Sequence, residues 1–330
     1  MIKPTRILAG AITLAVATTL AAQTAAAQQA AAQPYPSKPL RLIVPYPPGG
    51  TGDALCREMA ARMASTFGQQ ILVDNRSGAN GMIGADVLAK AQPDGYTIGL
   101  MTSSHSAMPH VSKLPFDPVQ DFVPLTLIAI VPGLLSVHAS VAARNLGELL
   151  AMARAQPGKL TYGHPGSMSA AHLAMEALKL QAKVDIVAIP YKGGGPALAD
   201  LLSAQTHMSV SGPTAHLPHI ATGRLRPIAV TAGRRSTAVP DTPTIAESGQ
   251  SGFDSSEWYG LFAPARMAQE HVDRLHTELV HAIQSPEMKA RMSTVGAEGS
   301  PNTPAQFAAF FRAEMDKNGR LIRELGLKAE

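Results

Sequence analysis

Hydrophobic positions along the chain fall into two alternating patterns: short unbroken apolar runs, and longer stretches in which apolar residues recur every third or fourth position. The first suits buried strands and the second helices with one buried face, so the chain predicts an α/β protein. Residues 41–67 show the unit most clearly. Leu42-Ile43-Val44 is a strand stopped by Pro45, Pro47 and Pro48, since proline cannot continue a central ladder. Gly49-Gly50-Thr51-Gly52 follows as bare backbone. Asp53 then occupies the position expected of a helix N-cap, and Leu55, Met59, Met63 and Phe67 mark the helix. Free N–H groups and the positive end of a helix dipole converge on such a loop, which is either an anion site or an ordinary βα turn.

The unit recurs. Ile71-Leu72-Val73 leads into a polar glycine loop over 75–81 and a helix over 83–91. After the turn Pro93-Asp94-Gly95, a third strand over 96–101 ends in Thr102-Ser103-Ser104-His105-Ser106. That run either lines a polar cleft or forms a solvated loop. A strand over 125–131 precedes the turn Pro132-Gly133, and Asn145 caps a helix over 146–155. Strands over 160–162 and 185–190 run into the loops 163–169 and 191–195, each opening a helix; Pro196 suits a first helical turn. In open α/β sheets such loops gather at the C-terminal ends of strands, where ligands bind.

Two early junctions and two mid-chain ones predict two α/β lobes facing each other across a cleft. The last third fits a return to the first lobe. A strand over 225–231 comes first, Pro240 and Pro243 punctuate a crossover, and a strand over 258–262 follows. Val272, Leu275, Leu279 and Ile283 form one helical stripe, and Phe307, Phe310, Phe311 and Met315 another. The expected division is residues 28–130 with 240–330 as lobe 1 and residues 131–239 as lobe 2.

Composition sharpens this picture. At 330 residues, 45% hydrophobic and 16% charged, the chain can build two cores. Lys3 and Arg6 precede the apolar, uncharged stretch 7–20, and Ala25-Ala26-Ala27 offers a cleavage site before Gln28. Residues 1–27 therefore read as a signal peptide, with a second possible cut after Ala32, and the mature protein is expected in the periplasm. Loss of Lys3 and Arg6 lowers the formal charge from +4 to about +2. No basic run or aromatic-interleaved basic patch is present, which argues against nucleic acid. Cys56 lies on an apolar helix stripe and reads as a packing thiol.

Catalytic signatures are missing. There is no G-x-S-x-G elbow, no phosphate-binding G-x-x-x-x-G-K-[ST] loop, no dinucleotide fingerprint and no H-E-x-x-H pair. His216 and His219 stand three apart and could share a helix face, a weak basis for a metal site. His105, His164 and His172 lie in or beside the glycine loops, and Lys192 could either attract an anion or be a surface lysine.

The stretch YPSKPLRLIVPYPPGGTGD, followed by ILVDNRSGANGMIGADVLAKAQPDGYTI, resembles the opening of the Bug family. These are TctC-like extracytoplasmic solute-binding receptors of tripartite tricarboxylate transporters. The similarity continues through LPFDPVQDF, LTYGHPGSMSAAHLAMEALK, VAIPYKGGGPALADLLSA, PHIATGRLRPIAVT, PDTPTIAESG and WYGLFAPA. Each motif is weak alone, but their number and order make the resemblance specific. It implies a type II-like periplasmic-binding-protein fold, with two lobes, two crossover segments and one small ligand between them. It implies no catalysis and no cofactor or metal. The partners it implies are a small carboxylate and the membrane permease subunits, with the receptor itself monomeric.

Carried onto this sequence, the resemblance puts a first clamp on Tyr46, Gly49, Gly50, Thr51 and Asp53. Ser103, Ser104 and His105 form the next wall. Lobe 2 contributes Gly166, Ser167, Met168, Ser169 and His172, with Lys192 and Gly193 nearby. Several positions depart from the family pattern. Met168 stands where a small residue is common and Met108 where asparagine is common. The stretch THMSVSG around Ser211 lacks the usual acidic residue, which favours a plain carboxylate over an amino acid, and an aromatic or apolar acid with Met108 and Met168 close by. The alternatives kept open are an exported receptor that signals to a sensor protein, and a hydrolase or isomerase on the same fold.

Overall fold

The structure is a computed structural model that describes residues 35–327; the predicted signal peptide lies outside the described residues. Strand β1 (Leu40–Val44) leads into helix α1 (Thr51–Phe67), then β2 (Ile71–Asn75), α2 (Met82–Ala89), β3 (Thr97–Thr102), the short α3 (Ser103–Ala107) and β4 (Phe122–Pro132). β1 lies parallel between β2 and β3, which is why its sequence is an unbroken apolar run. α1 covers the sheet with Leu55, Cys56, Met59 and Met63, all fully buried, and ends at Gly68 in the left-handed conformation.

At Gly133 the chain passes into a second sheet. The elements there are β5 (Leu134–His138), α4 (Leu146–Ala155), β6 (Thr161–His164), α5 (Ala170–Ala182), β7 (Val187–Pro190), α6 (Gly194–Leu202), β8 (Met208–Ser211), α7 (Pro213–Ala221) and β9 (Leu225–Val230). The chain then returns through β10 (Ser256–Pro264), α8 (Gln269–Gln284), α9 (Pro286–Thr294), β11 (Glu298–Gly299) and α10 (Pro304–Leu325). The first sheet has the order β11-β4-β10-β3-β1-β2 and the second β7-β6-β8-β5-β9, so the molecule has the expected two α/β lobes.

The return falls later than the prolines at 240 and 243 suggested. Thr244 bridges Val230 in parallel, the Ile245 N–H donates to the Val230 carbonyl at 2.9 Å, and Ile245 and Phe253 are buried in the second lobe's core. β9 likewise belongs to the second sheet. Thr231, directly after β9, ties the two crossings together: its N–H donates to the Gly133 carbonyl at 2.8 Å, its Oγ1 accepts from the Gly133 N–H at 3.1 Å, and its carbonyl accepts from the Ser255 N–H at 2.9 Å. Glycine is required at 133, because a Cβ would lie 2.6 Å from Thr231 Oγ1 and 2.7 Å from a Val210 methyl.

α10 closes the first lobe from outside its sheet. Phe307 and Phe311 pack edge-on against Trp258, with centroids at 6.0 and 5.8 Å. Further along α10, Asn318 Nδ2 donates to Ser106 Oγ at 2.8 Å in a buried setting, fixing α3 at the end of β3.

Candidate functional site

A cavity of about 320 Å³ lies between the lobes. Lobe 1 supplies Tyr46, Asn80, Thr102, Ser103, Ser104 and Glu257. Lobe 2 supplies the loop around Pro165, Gly166, Ser167 and Ser169, the β8 residues Ser209, Val210 and Ser211, and Gly194, Ala197, Leu198, Gly212 and His216.

The lobe 1 wall is a hydroxyl network. Tyr46 Oη lies 2.7 Å from Thr102 Oγ1 and 2.8 Å from Ser104 Oγ, which are themselves 3.1 Å apart. Burial is the main cause that pushes the Tyr46 hydroxyl up to about 12, so it acts as a neutral donor. The sequence run 102–106 is therefore cleft wall built as a short helix, not a solvated loop.

The lobe 2 wall is made of helix starts. Ser169 is the N-cap of α5 and accepts from the His172 N–H at 3.2 Å; Ala170 is the first helical residue. Gly194 opens α6, and Gly212 is the N-cap of α7. Three helices of eight or more residues thus direct their positive ends at one cavity. Deeper in the wall, His216 bridges Ser209 Oγ at 3.2 Å and Ser136 Oγ at 3.0 Å. Burial, reinforced by His219, lowers its pKa to about 4, leaving a neutral imidazole. No Lys or Arg lines the cavity, and Glu257 is its single carboxyl.

Of the residues proposed from sequence, the structure brings Tyr46, Ser103, Ser104, Gly166, Ser167, Ser169 and Ser211 onto this cavity. Gly49, Gly50, Thr51 and Asp53 are not on its wall. α1 begins at Thr51 with Gly50 as N-cap, so Asp53 falls in the first turn instead of capping it. Its buried carboxylate accepts from the Gly49 N–H at 2.9 Å, Arg57 Nε at 2.9 Å and Asn75 Nδ2 at 2.9 Å. The anion at this helix start is the protein's own. Desolvation would raise the Asp53 pKa, but these bonds together hold it below the usual carboxylate value.

His105 and His172 also stand behind the wall. His105 Nδ1 accepts from the Thr102 N–H at 3.1 Å, and His172 Nδ1 accepts from the Met168 N–H at 3.2 Å. Each ring thereby shapes a loop that carries lining serines. Lys192 is exposed and Gly193 half-buried, and neither lines the cavity.

Met108 and Met168 correct the expectation of an apolar ligand. Both are buried, with Ala107, Leu173 and Ile322, in an apolar cluster joining α5 of lobe 2 to α3 and α10 of lobe 1. They touch the opposite lobe, not the cavity. Met168 holds this place at φ 61°, a conformation that suits glycine. Met168→Gly is expected to relieve that strain but weaken the lobe–lobe contact by about 1–2 kcal/mol, roughly 5- to 30-fold in the balance between joined and parted lobes. Small-angle scattering of the unliganded variant should show a larger radius of gyration with unchanged circular dichroism. An unchanged radius would mean that the cluster does not hold the lobes together.

Sequence reading passed over Asn80, Ser209, His216 as a lining residue, and Glu257. Glu257 could have been found as the lone charge directly before the buried strand run Trp258–Phe262. It also means that the cavity does contain an acid, which shares a small adjoining cavity with Ser211.

Two α/β lobes, a pair of bonded crossings and a polar cavity between them define a periplasmic-binding-protein receptor, a protein that holds a solute without chemically changing it. The chain belongs to the TctC family, the tripartite tricarboxylate transporter family receptors, whose profile matches residues 55–327. It is 35% identical over 297 residues to protein BugT of Bordetella pertussis, covering 89% of this chain and 91% of that one. It is 36% identical over 298 residues to a Pseudomonas sp. (strain P51) protein from the tcbD-tcbE intergenic region, covering 89% and 88%. Among solved structures, an R. palustris protein with adipate superposes with a TM-score of 0.79 at 34% identity, covering 90% of this chain and 100% of that one. The malate-bound MatC of Rhodopseudomonas palustris gives 0.75 at 28%, covering 87% and 100%.

Proposed function

We propose that this receptor captures a small organic carboxylate in the interlobe cavity and delivers it to the membrane subunits of a tripartite tricarboxylate-type transporter. The observation that carries the reading is the convergence of the α5, α6 and α7 N-termini, with serine hydroxyls between them, on a cavity that no lysine or arginine lines. Helix ends and hydroxyls hold a carboxylate by oriented dipoles and release it without breaking a strong ion pair. Relatives solved with adipate and malate support the ligand class, and the family description supports the hand-over to a permease.

The test is a thermal-shift panel of mono- and dicarboxylates that includes adipate and malate. A ligand at a hundred times its Kd stabilises by about 2.7 kcal/mol, which corresponds to a rise of roughly 5–10 °C in Tm. The bound solute should come off unchanged when the complex is denatured. A panel in which no carboxylate raises Tm would overturn the reading.

A further inference from the structure

Glu257, on β10, lines the interlobe cavity. It also lines a satellite cavity of about 40 Å³ with Ala170 and Ala171 of α5, with Ser211, and with Gly212, the N-cap of α7. The helix starts that favour a ligand's carboxylate therefore have an acid of the protein's own beside them. At α1 the equivalent acid, Asp53, is held charged by Arg57, Asn75 and the Gly49 N–H. Glu257 has no such set. Among the described residues, no lysine, arginine or histidine nitrogen comes within salt-bridge distance of it. Its hydrogen-bonding partner is the Tyr259 hydroxyl, which the Thr51 side chain supports in turn.

Two ionised carboxylates in one partly desolvated space repel, and a proton held by one of them removes that cost. Burial raises the Glu257 pKa before any ligand arrives, and a second negative charge beside it acts in the same direction. The neighbouring groups do not compete for that proton. Tyr46 and His216 are the other titratable residues lining the main cavity; burial pushes the first up to about 12 and lowers the second to about 4. Tyr259 is raised well above its ordinary value. On the elements packed against β10, His105 of α3 is lowered to about 4, His172 of α5 accepts from the Met168 N–H, and Asp86 of α2 is paired with Lys90. From α10, uncharged Phe307 and Phe311 pack on β10.

We infer that Glu257 couples solute capture to proton uptake. When a carboxylate occupies the helix starts of lobe 2, Glu257 takes one proton from solvent and donates a hydrogen bond to the bound anion, with Tyr259 donating to its other oxygen. The solute itself is unchanged, and the proton returns to solvent when the solute leaves. The inference rests on the cleft being the carboxylate site.

Calorimetry with adipate, malate and succinate between pH 7 and pH 9, where these solutes stay ionised, tests it. Uptake of one proton per solute weakens binding by up to about tenfold for each unit that pH rises. The natural protein is therefore expected to bind at least about tenfold more weakly at pH 9 than at pH 7. At a single pH, its binding enthalpies in phosphate and in Tris should differ, because the buffer supplies the proton. Glu257→Gln keeps the shape and the neutral state of the protonated acid. Its affinity should not vary with pH, its enthalpies should agree in the two buffers, and at pH 9 it should bind at least about tenfold more tightly than the natural protein. Binding by the natural protein that is independent of pH and of buffer overturns the inference while leaving the carboxylate reading intact. Glu257→Gln retaining the natural pH dependence overturns it as well. Absence of binding by all three acids at every pH overturns both.

Discussion

Acidification from pH 7 to pH 4 should remove about 6 kcal/mol of folding stability through two histidines. His216 is fully buried in the cavity wall, and His105 is buried behind it. Burial leads the causes in both, and each pKa is lowered from 6.5 to about 4. The unfolded chain takes up both protons as pH falls through about 6.5, whereas the folded protein accepts them only near pH 4. The unfolded state thus binds more protons throughout that window. Stability is complete above it and is lost on descending through it, by about 3 kcal/mol for each ring.

Glu257 opposes this in part, because a raised carboxyl pKa lets the folded state take up its proton first. Asp53, with its lowered pKa, adds to the loss at the acid end. Urea unfolding at pH 7, 5.5 and 4 measures the slope. Combining His105→Asn with His216→Gln should lower stability at pH 7 but flatten the profile. A natural protein with equal unfolding free energy at pH 7 and pH 4 would overturn the assignment.

Both histidines lie next to the polar groups that form the interlobe cavity, and this bears on how much of the molecule was legible in the sequence. β1 and α1 were readable because their burial is simple: one element is apolar throughout, the other on one stripe. β8 and α7 were not. β8 reads Met-Ser-Val-Ser, with its serines turned to the cavity, and α7 carries Pro213, His216 and Pro218 where a helical stripe would be expected. Function had displaced the periodic signal there.

The first glycine loop failed in the other direction. Its composition fits an anion site, yet Asp53, three residues past Gly50, fills the role internally. Composition showed that an anion belonged at that helix start but could not show whose. Met108 and Met168 stood out as departures from a family pattern, but whether they faced the ligand or the other lobe depends on long-range packing that no local window contains. The crossing near 255 was placed at 240 for a similar reason: prolines mark a change of direction, not the core to which the following apolar residues belong.

Gly260→Ala should be among the most damaging single changes outside the cavity. Gly260 sits in β10, paired with β3 on one side and β4 on the other, and the Phe307 ring of α10 lies directly over it. A Cβ at 260 would meet Phe307 Cζ at 2.0 Å and Cε1 at 2.7 Å. Phe307 has no room to retreat: it is fully buried and packed against Trp258 at 6.0 Å and Phe262 at 4.8 Å between ring centroids. The methyl group must therefore push α10 away from the sheet. Overpacking of this kind costs about 3 kcal/mol, roughly 6–12 °C in Tm for a domain of this size. The displacement should also reach the cleft, because α10 holds Ser106 of α3 through Asn318 and contributes Ile322 to the contact with Met168. Affinity for a captured solute should fall together with Tm. Phe307→Leu on its own leaves a cavity and destabilises, but in the Gly260→Ala background it removes the clash, so the double variant should be more stable than the sum of the two single losses predicts. Strict additivity in that cycle, or an unchanged Tm for Gly260→Ala, would show that the ring over Gly260 does not set the position of α10.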